Sequence, residues 1–168
     1  YGTSNGKVYK MINAHTGNPT ATEITGAGFP SGYISCVTID PADADRIFIT
    51  FSNYNVKSIF FSSDGGSNWS DISGNLEENA DGTGNGPSVR WIEQLIINGD
   101  LAYFVATTTG LYSTTNLNGT STNWIQEGGS VLGNVVCAMI KTRSDGFVAV
   151  GTHGNGVYTA TFESQVVS

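Results

Sequence analysis

Apolar residues fall along this chain in short runs of five or six, each closed by a polar, glycine-bearing turn. Residues 34–39, 92–97 and 135–140 are such runs, and each is followed by a polar stretch and a second run, at 47–51, 102–106 and 147–151. The runs are rich in Val, Ile, Phe and Tyr, which suit a pleated, packed surface. No stretch repeats with the 3.6-residue period of an amphipathic helix, so a helical solenoid is excluded. A second signal recurs between the runs. Residues 2–9 read Gly-Thr-Ser-Asn-Gly-Lys-Val-Tyr, residues 151–158 read Gly-Thr-His-Gly-Asn-Gly-Val-Tyr, and residues 106–112 read Ala-Thr-Thr-Thr-Gly-Leu-Tyr. Each is a strand end, a glycine-bearing turn and an apolar–aromatic strand start, which is a hairpin pattern. Residues 51–61 form a weaker copy with a longer turn around Tyr54.

The pairs Val8-Tyr9, Phe60-Phe61, Leu111-Tyr112 and Val157-Tyr158 set a period, with steps of 52, 51 and 46 residues. That period is the length of one four-stranded propeller blade with generous loops. Val37, Leu95 and Ala138 align as a column, and Cys36, Gln94 and Cys137 as the column beside it. With strands lettered A to D from the inside of a blade outward, the chain reads C, D, then A to D twice, then A, B, C: thirteen strands. The expected fold is therefore all-β, a β-propeller of four-stranded antiparallel blades with about three and a half blades present. The expected divisions are a partial blade at 1–32, a full blade with a long D–A loop at 33–89, a full blade at 90–133, a partial blade at 134–162 and a tail at 163–168. Open flanks expose strand edges, so the expected partners are the remaining blades, from the same parent chain or from another polypeptide.

Composition narrows the function. Of 168 residues 39% are hydrophobic and only 12% charged, so Ser, Thr, Asn and 22 Gly must supply the polar surface. The net charge of −7, with seven Lys and Arg in all, leaves no basic track for phosphates. Nucleic acid and anionic membrane surfaces are excluded as partners. No apolar run reaches the length of a membrane span. Two cysteines, Cys36 and Cys137, do not make a disulfide framework and are expected as buried free thiols two blades apart. No signal peptide is visible at Tyr1.

Residues 62–69 read Ser-Ser-Asp-Gly-Gly-Ser-Asn-Trp. Gly65 and Gly66 permit positive φ in a tight turn, Asp64 can accept backbone N–H bonds of that turn, and Trp69 can bury a large ring at the start of the next strand. The stretch resembles the Asp-box, or BNR, repeat S-x-D-G-G-x-x-W at Ser62, Asp64, Gly65, Gly66 and Trp69. Two other blades keep eroded versions, one from Ser113 to Trp124 with Asn116 and one from Asn13 to Gly17. The resemblance implies a propeller with the box on the C–D hairpin at the outer rim. It implies for Asp64 the role of a turn staple, not a catalytic or metal-binding one. Propellers with such boxes include sialidases, xyloglucanase-type glycosidases, sortilin-like receptors and secreted bacterial repeat proteins. The last group is closest in texture, through the ending Gly-Thr-His-Gly-Asn-Gly-Val-Tyr and through Asp40-Pro41. It implies a secreted or cell-surface protein of bacterial type.

Propeller ligands meet the face built from D–A and B–C loops, here 52–56, 74–89, 107–110 and 152–156. Tyr54, Arg90, Trp91 and His153 are the candidate binding residues there. Arg46, Arg90 and Arg143 cannot form a sialidase-like carboxylate clamp, because Arg46 and Arg143 fall on the opposite turns. Glu77, Glu78, Asp81 and Glu93 are the acids from which a glycosidase pair would be drawn. Residues 78–86 place oxygens at alternating positions, so Asn79, Asp81 and Asn85 form a weak candidate Ca²⁺ loop without the closing bidentate Glu. The competing reading is a flexible polar loop. Asn68 and Asn118 open glycosylation sequons. No zinc set, cofactor motif or catalytic constellation is expected. The expected function is a non-catalytic propeller module that binds protein or glycan. The alternative is part of a glycoside hydrolase whose catalytic residues lie mostly elsewhere.

Overall fold

The computed structural model describes residues 1–162. The tail expected at 163–168 lies outside the described residues. Thirteen strands and two short 3-10 turns are found among them. The strands are β1 (Tyr9–Met11), β2 (Ala21–Glu23), β3 (Ile34–Asp40), β4 (Asp43–Phe51), β5 (Ile59–Ser62), β6 (Ser70–Asp71), β7 (Val89–Ile97), β8 (Asp100–Thr107), β9 (Gly110–Thr114), β10 (Ile125–Glu127), β11 (Cys137–Thr142), β12 (Phe147–Thr152) and β13 (Val157–Thr161). They pair in chain order into four antiparallel sheets: β1-β2, β3-β4-β5-β6, β7-β8-β9-β10 and β11-β12-β13. This is the C, D; A–D; A–D; A–C order that the sequence predicts.

The sheets bury their faces on one another. One apolar cluster joins Val8 and Ile24 of the first sheet to Ile34, Ile47, Ile49 and Phe60 of the second. A second joins Phe48, Ile59 and Ile72 to Ile92, Tyr103, Val105 and Trp124. A third joins Phe104, Leu111 and Leu95 to Ile140, Val148 and Val150. A strand with a neighbouring sheet on each side reads as a continuous apolar run. This explains the second strands: in β8 every residue from Ala102 to Thr107 is buried, and in β4 every residue from Ile47 to Phe51. The first strands also reach across to their neighbours. Ser35 Oγ donates to Val89 O at 3.0 Å, Thr38 Oγ1 to Ile92 O at 2.7 Å, and Thr142 Oγ1 to Gln94 O at 2.7 Å. So β3, β7 and β11 line up along one side of the stack.

The register corrects the column alignment. A bulge falls near the start of each first strand, between Ile34 and Cys36, Val89 and Trp91, and Cys137 and Met139. The matching positions are therefore Ile34, Val89 and Cys137, then Cys36, Trp91 and Met139, then Val37, Ile92 and Ile140. Cys36, Gln94 and Cys137 do not share a column. The aromatic column shifts by one as well. Phe60 faces Ile49, Tyr112 faces Val105 and Tyr158 faces Val150, so Phe60 and not Phe61 is the partner of Tyr112 and Tyr158. Apolar residues recur along every strand, so a slipped alignment still sets apolar on apolar, and a bulge leaves no mark in the letters. Both cysteines are buried and free. Burial raises both thiols, Cys137 to about 11.

Candidate functional site

The turn from Ser62 to Trp69 is held by its own side chains. Gly65 and Gly66 take φ of 70° and 91°, values that L side chains rarely adopt. Ser62 Oγ donates to Asp64 Oδ1 at 2.9 Å and accepts the Gly66 N–H at 2.9 Å. Asp64 Oδ1 also accepts the Asn68 N–H at 2.8 Å, and its Oδ2 accepts the Asn68 side-chain amide at 2.7 Å. Those donors, the Asn68 amide first, hold the Asp64 carboxyl below its usual range. Asp64 is thus committed to the turn. The Asn68 sequon side chain is committed with it. Trp69 leaves the turn toward the first sheet: its indole N–H donates to Ile24 O at 2.8 Å, and its ring meets Phe29 edge-on. In the third sheet the matching turn opens on Thr114, not Ser113. Asn116 N–H donates to Thr114 Oγ1, as Asp64 N–H does to Ser62 Oγ.

The loop face is built from 52–58 and 74–88, which lean on each other. Ser88 Oγ donates to Ser52 O at 2.7 Å, and the Gly84 N–H donates to Asn55 Oδ1 at 3.2 Å. A shallow, open pocket of about 290 Å³ lies within the second of these loops, lined by Asn75, Glu77, Glu78, Asn85 and Pro87. The acids of this loop are engaged. Glu77 Oε1 accepts the Ser58 N–H at 3.1 Å, Glu78 Oε2 accepts the Asn85 N–H at 2.6 Å, and Asp81 Oδ1 accepts the Thr83 N–H at 3.0 Å. Burial raises the Glu77 carboxyl above its usual range, against the pull of those bonds. The Thr83 hydroxyl and N–H lower that of Asp81.

The four binding candidates do not converge. Tyr54 is exposed on the 52–58 loop, and His153 is exposed on the turn before β13. Arg90 sits half-buried on β7, with its Nε buried and unpartnered. Trp91 turns into the junction with the fourth sheet: its indole N–H reaches Glu93 Oε2 at 3.2 Å, and Lys141 Nζ lies 5.0 Å over its ring. No hydrogen bond, ion pair or ring contact joins any two of the four among the described residues. Glu93 is taken by Lys141 at 2.8 Å and is no partner for the loop acids. In the Ca²⁺ loop candidates the Asn79 amide N–H donates to Thr83 Oγ1 and the Asn85 amide N–H to Glu78 Oε2. No group of three or more His, Cys, Asp or Glu side chains is placed to hold a metal ion among the described residues.

The opposite turns carry a cluster that sequence reading missed. Asp40, 5% exposed, accepts Arg46 Nε at 3.1 Å, and Arg46 donates on to Tyr103 Oη at 2.8 Å in the next sheet. Burial pushes the Asp40 carboxyl up, but the Ala42 N–H and Arg46 outweigh it and hold the carboxyl low. Arg46 thereby joins two sheets. Arg143 pairs with Asp145 within its own turn at 2.6 Å. The spacing of Asp40 and Arg46 across a turn is visible in the letters; Tyr103, 57 residues on, is not.

Four antiparallel sheets stacked face to face through three apolar junctions define part of a β-propeller. No protein-family model matches the chain, and no curated protein matches it. Among solved structures, the GH74 xyloglucanase from Xanthomonas campestris is similar to it, with a TM-score of 0.56 and 14% identity. The likeness covers 93% of this chain and 27% of that one, so the chain spans about a quarter of that enzyme's length. At that identity the likeness shows the fold alone. No helix among the described residues is long and apolar enough to cross a membrane.

Proposed function

We propose that this chain is a non-catalytic propeller module of a secreted or cell-surface protein, and that its loop face is a contact platform for a polysaccharide. The observation that carries the reading is the commitment of the acids. Glu77, Glu78 and Asp81 each accept a backbone N–H of the loops themselves, and Glu93 is paired with Lys141. Hydrolysis by a carboxylate pair needs one acid free to donate a proton and another free to attack or to activate water. A shallow polar pocket of amides and carboxylates on the 74–88 loop, with an exposed Tyr54 on the adjoining 52–58 loop, suits sugar hydroxyls and a stacked ring. The resemblance of residues 62–69 to the Asp-box repeat supports the extracellular setting. Seven basic residues against fourteen acidic ones argue against a polyanion as the partner.

Two observations favour the alternative, a hydrolase section. The raised Glu77 carboxyl has the character of a general acid, and the similar solved structure is a xyloglucanase. One experiment separates the two. The chain is titrated with xyloglucan oligosaccharide in a calorimeter, and the mixture is assayed for new reducing ends. Binding that weakens several-fold in Tyr54→Ala, with no reducing ends released, is the expected result. Reducing ends that vanish in Glu77→Gln establish the hydrolase reading instead. Absence of binding to any plant or bacterial polysaccharide tested overturns the platform.

A further inference from the structure

The chain has seven lysines and arginines. Six of them, Lys7, Lys10, Arg46, Lys57, Lys141 and Arg143, lie within 4.0 Å of a carboxylate. Arg90 is the exception: among the described residues no acid and no acceptor meets its side chain. It is half-buried, and its Nε is closed off from water. The stem is therefore fixed, and only the two terminal nitrogens can meet a ligand. A guanidinium drawn partly out of water without an acceptor is costly to keep. The repeat shows that the fold does not ask for it. Bulges fall between Ile34 and Cys36, between Val89 and Trp91, and between Cys137 and Met139, so Ser35, Arg90 and Ala138 hold equivalent positions. Ser35 gives its hydroxyl to the Val89 carbonyl, and Ala138 has no polar side chain. A small residue meets the need of the bulge in both neighbours. Bulges re-aim side chains and recur beside functional sites. Arg90 also stands at the loop-face end of β7. It follows Ser88, whose hydroxyl ties the 74–88 loop to Ser52, by two residues, and Pro87, which lines the polar pocket, by three.

We propose that Arg90 is the carboxylate-binding residue of the loop face, and that the polysaccharide held there is a neutral chain bearing isolated uronic acid units. The inference rests on the platform reading above and names its ligand more closely. The two terminal nitrogens of Arg90 form a planar fork whose N–H groups match both oxygens of one carboxylate. A stem already held by burial loses little freedom when the ligand arrives. Glu77 and Glu78 at the pocket, in a chain of net charge −7, repel a continuous run of uronates. One carboxylate on an otherwise neutral glycan meets the single unpaired cation without facing that repulsion along its length.

The probe is a xylo-oligosaccharide with one glucuronic acid branch, set against the same oligosaccharide with that carboxyl reduced to the alcohol. Calorimetry on the whole chain should show the acid form binding about tenfold or more tightly than the reduced form, with a gap that narrows as salt is added. In Arg90→Ser and Arg90→Ala the acid form falls to the affinity of the reduced form. These are the residues that the equivalent positions already hold, and an unchanged unfolding temperature checks that the fold is kept. Arg90→Lys keeps the charge without the fork and recovers only part of the gap. A second readout does not depend on the platform. Free glucuronate added to the isotope-labelled chain should shift the Arg90 Nε–H resonance saturably, and glucose should not. Equal binding of the acid and reduced forms overturns the proposal and leaves the platform standing. A glucuronate shift without binding of either oligosaccharide overturns the platform, and with it the polysaccharide as the source of the carboxylate. An acidic peptide that moves the same resonance at lower concentration than glucuronate also overturns the proposal, because the partner is then a protein.

Discussion

Replacing Trp124 with Phe isolates one junction between sheets. The phenyl ring keeps most of the apolar contact with Ile59, Ile72 and Val105 but removes the indole N–H, which donates to Ile72 O at 2.9 Å. The site is 2% exposed, so water cannot replace the lost donor. A buried acceptor left alone costs about 1–3 kcal/mol. The smaller ring loses a few buried heavy atoms, roughly another 1 kcal/mol. The sum is about 2–4 kcal/mol, and Trp124→Ala should reach about 3–5 kcal/mol. For a chain of this size that corresponds to a fall in unfolding temperature of about 4–16 °C. Urea unfolding followed by far-ultraviolet circular dichroism reads it directly, with the denaturant slope unchanged. Trp69→Phe, at a more exposed ring with the same kind of bond, should cost less. A Trp124→Phe chain within about 0.5 kcal/mol of the parent would refute the idea that this bond ties two sheets together.

Three further outcomes follow from other residues. Cys137, buried with its thiol pushed to about 11, should react with a disulfide reagent at pH 8 only as fast as the chain opens; immediate labelling of two thiols contradicts this. Asp40 is held low by its donors, so its contribution is complete above its unfolded value of about 3.9 and is lost as the pH falls through the lower folded value. Asp40→Asn should lose about 1–3 kcal/mol at pH 7 and show a shallower acid limb in pH-dependent unfolding; an unchanged limb counts against the cluster. Gly66, at φ 91°, has Ile24 Cδ1 only 2.6 Å from where a Cβ would sit. Gly66→Ala should therefore destabilise by about 1–2 kcal/mol or more by thermal unfolding, and a neutral result would show the turn to be pliable.

The strand order was legible because a strand packed on both faces writes itself as an unbroken apolar run, as residues 47–51 and 102–106 do. The turn at Ser62 to Trp69 was legible because local hydrogen bonds need particular residues at fixed spacing. Long-range facts were not. The bulges after Ile34, Val89 and Cys137 add a residue without changing the pattern, so the columns slipped. Arg90 and Trp91 are adjacent in the sequence, but the structure leaves Arg90 half-buried on β7 and turns Trp91 to Glu93 and Lys141. The shared task of Trp69 and Trp124 shows only when the carbonyls of Ile24 and Ile72 are seen beneath them.

The account rests on consecutive sheets lying face against face, each held to the one before it. Proton NMR of the isotope-labelled chain reads that contact directly through nuclear Overhauser cross-peaks from the indole N–H resonances. Cross-peaks from Trp69 to Ile24 and from Trp124 to Ile72 are predicted. Indole protons that exchange freely with water, or that see only residues of their own sheet, would contradict it.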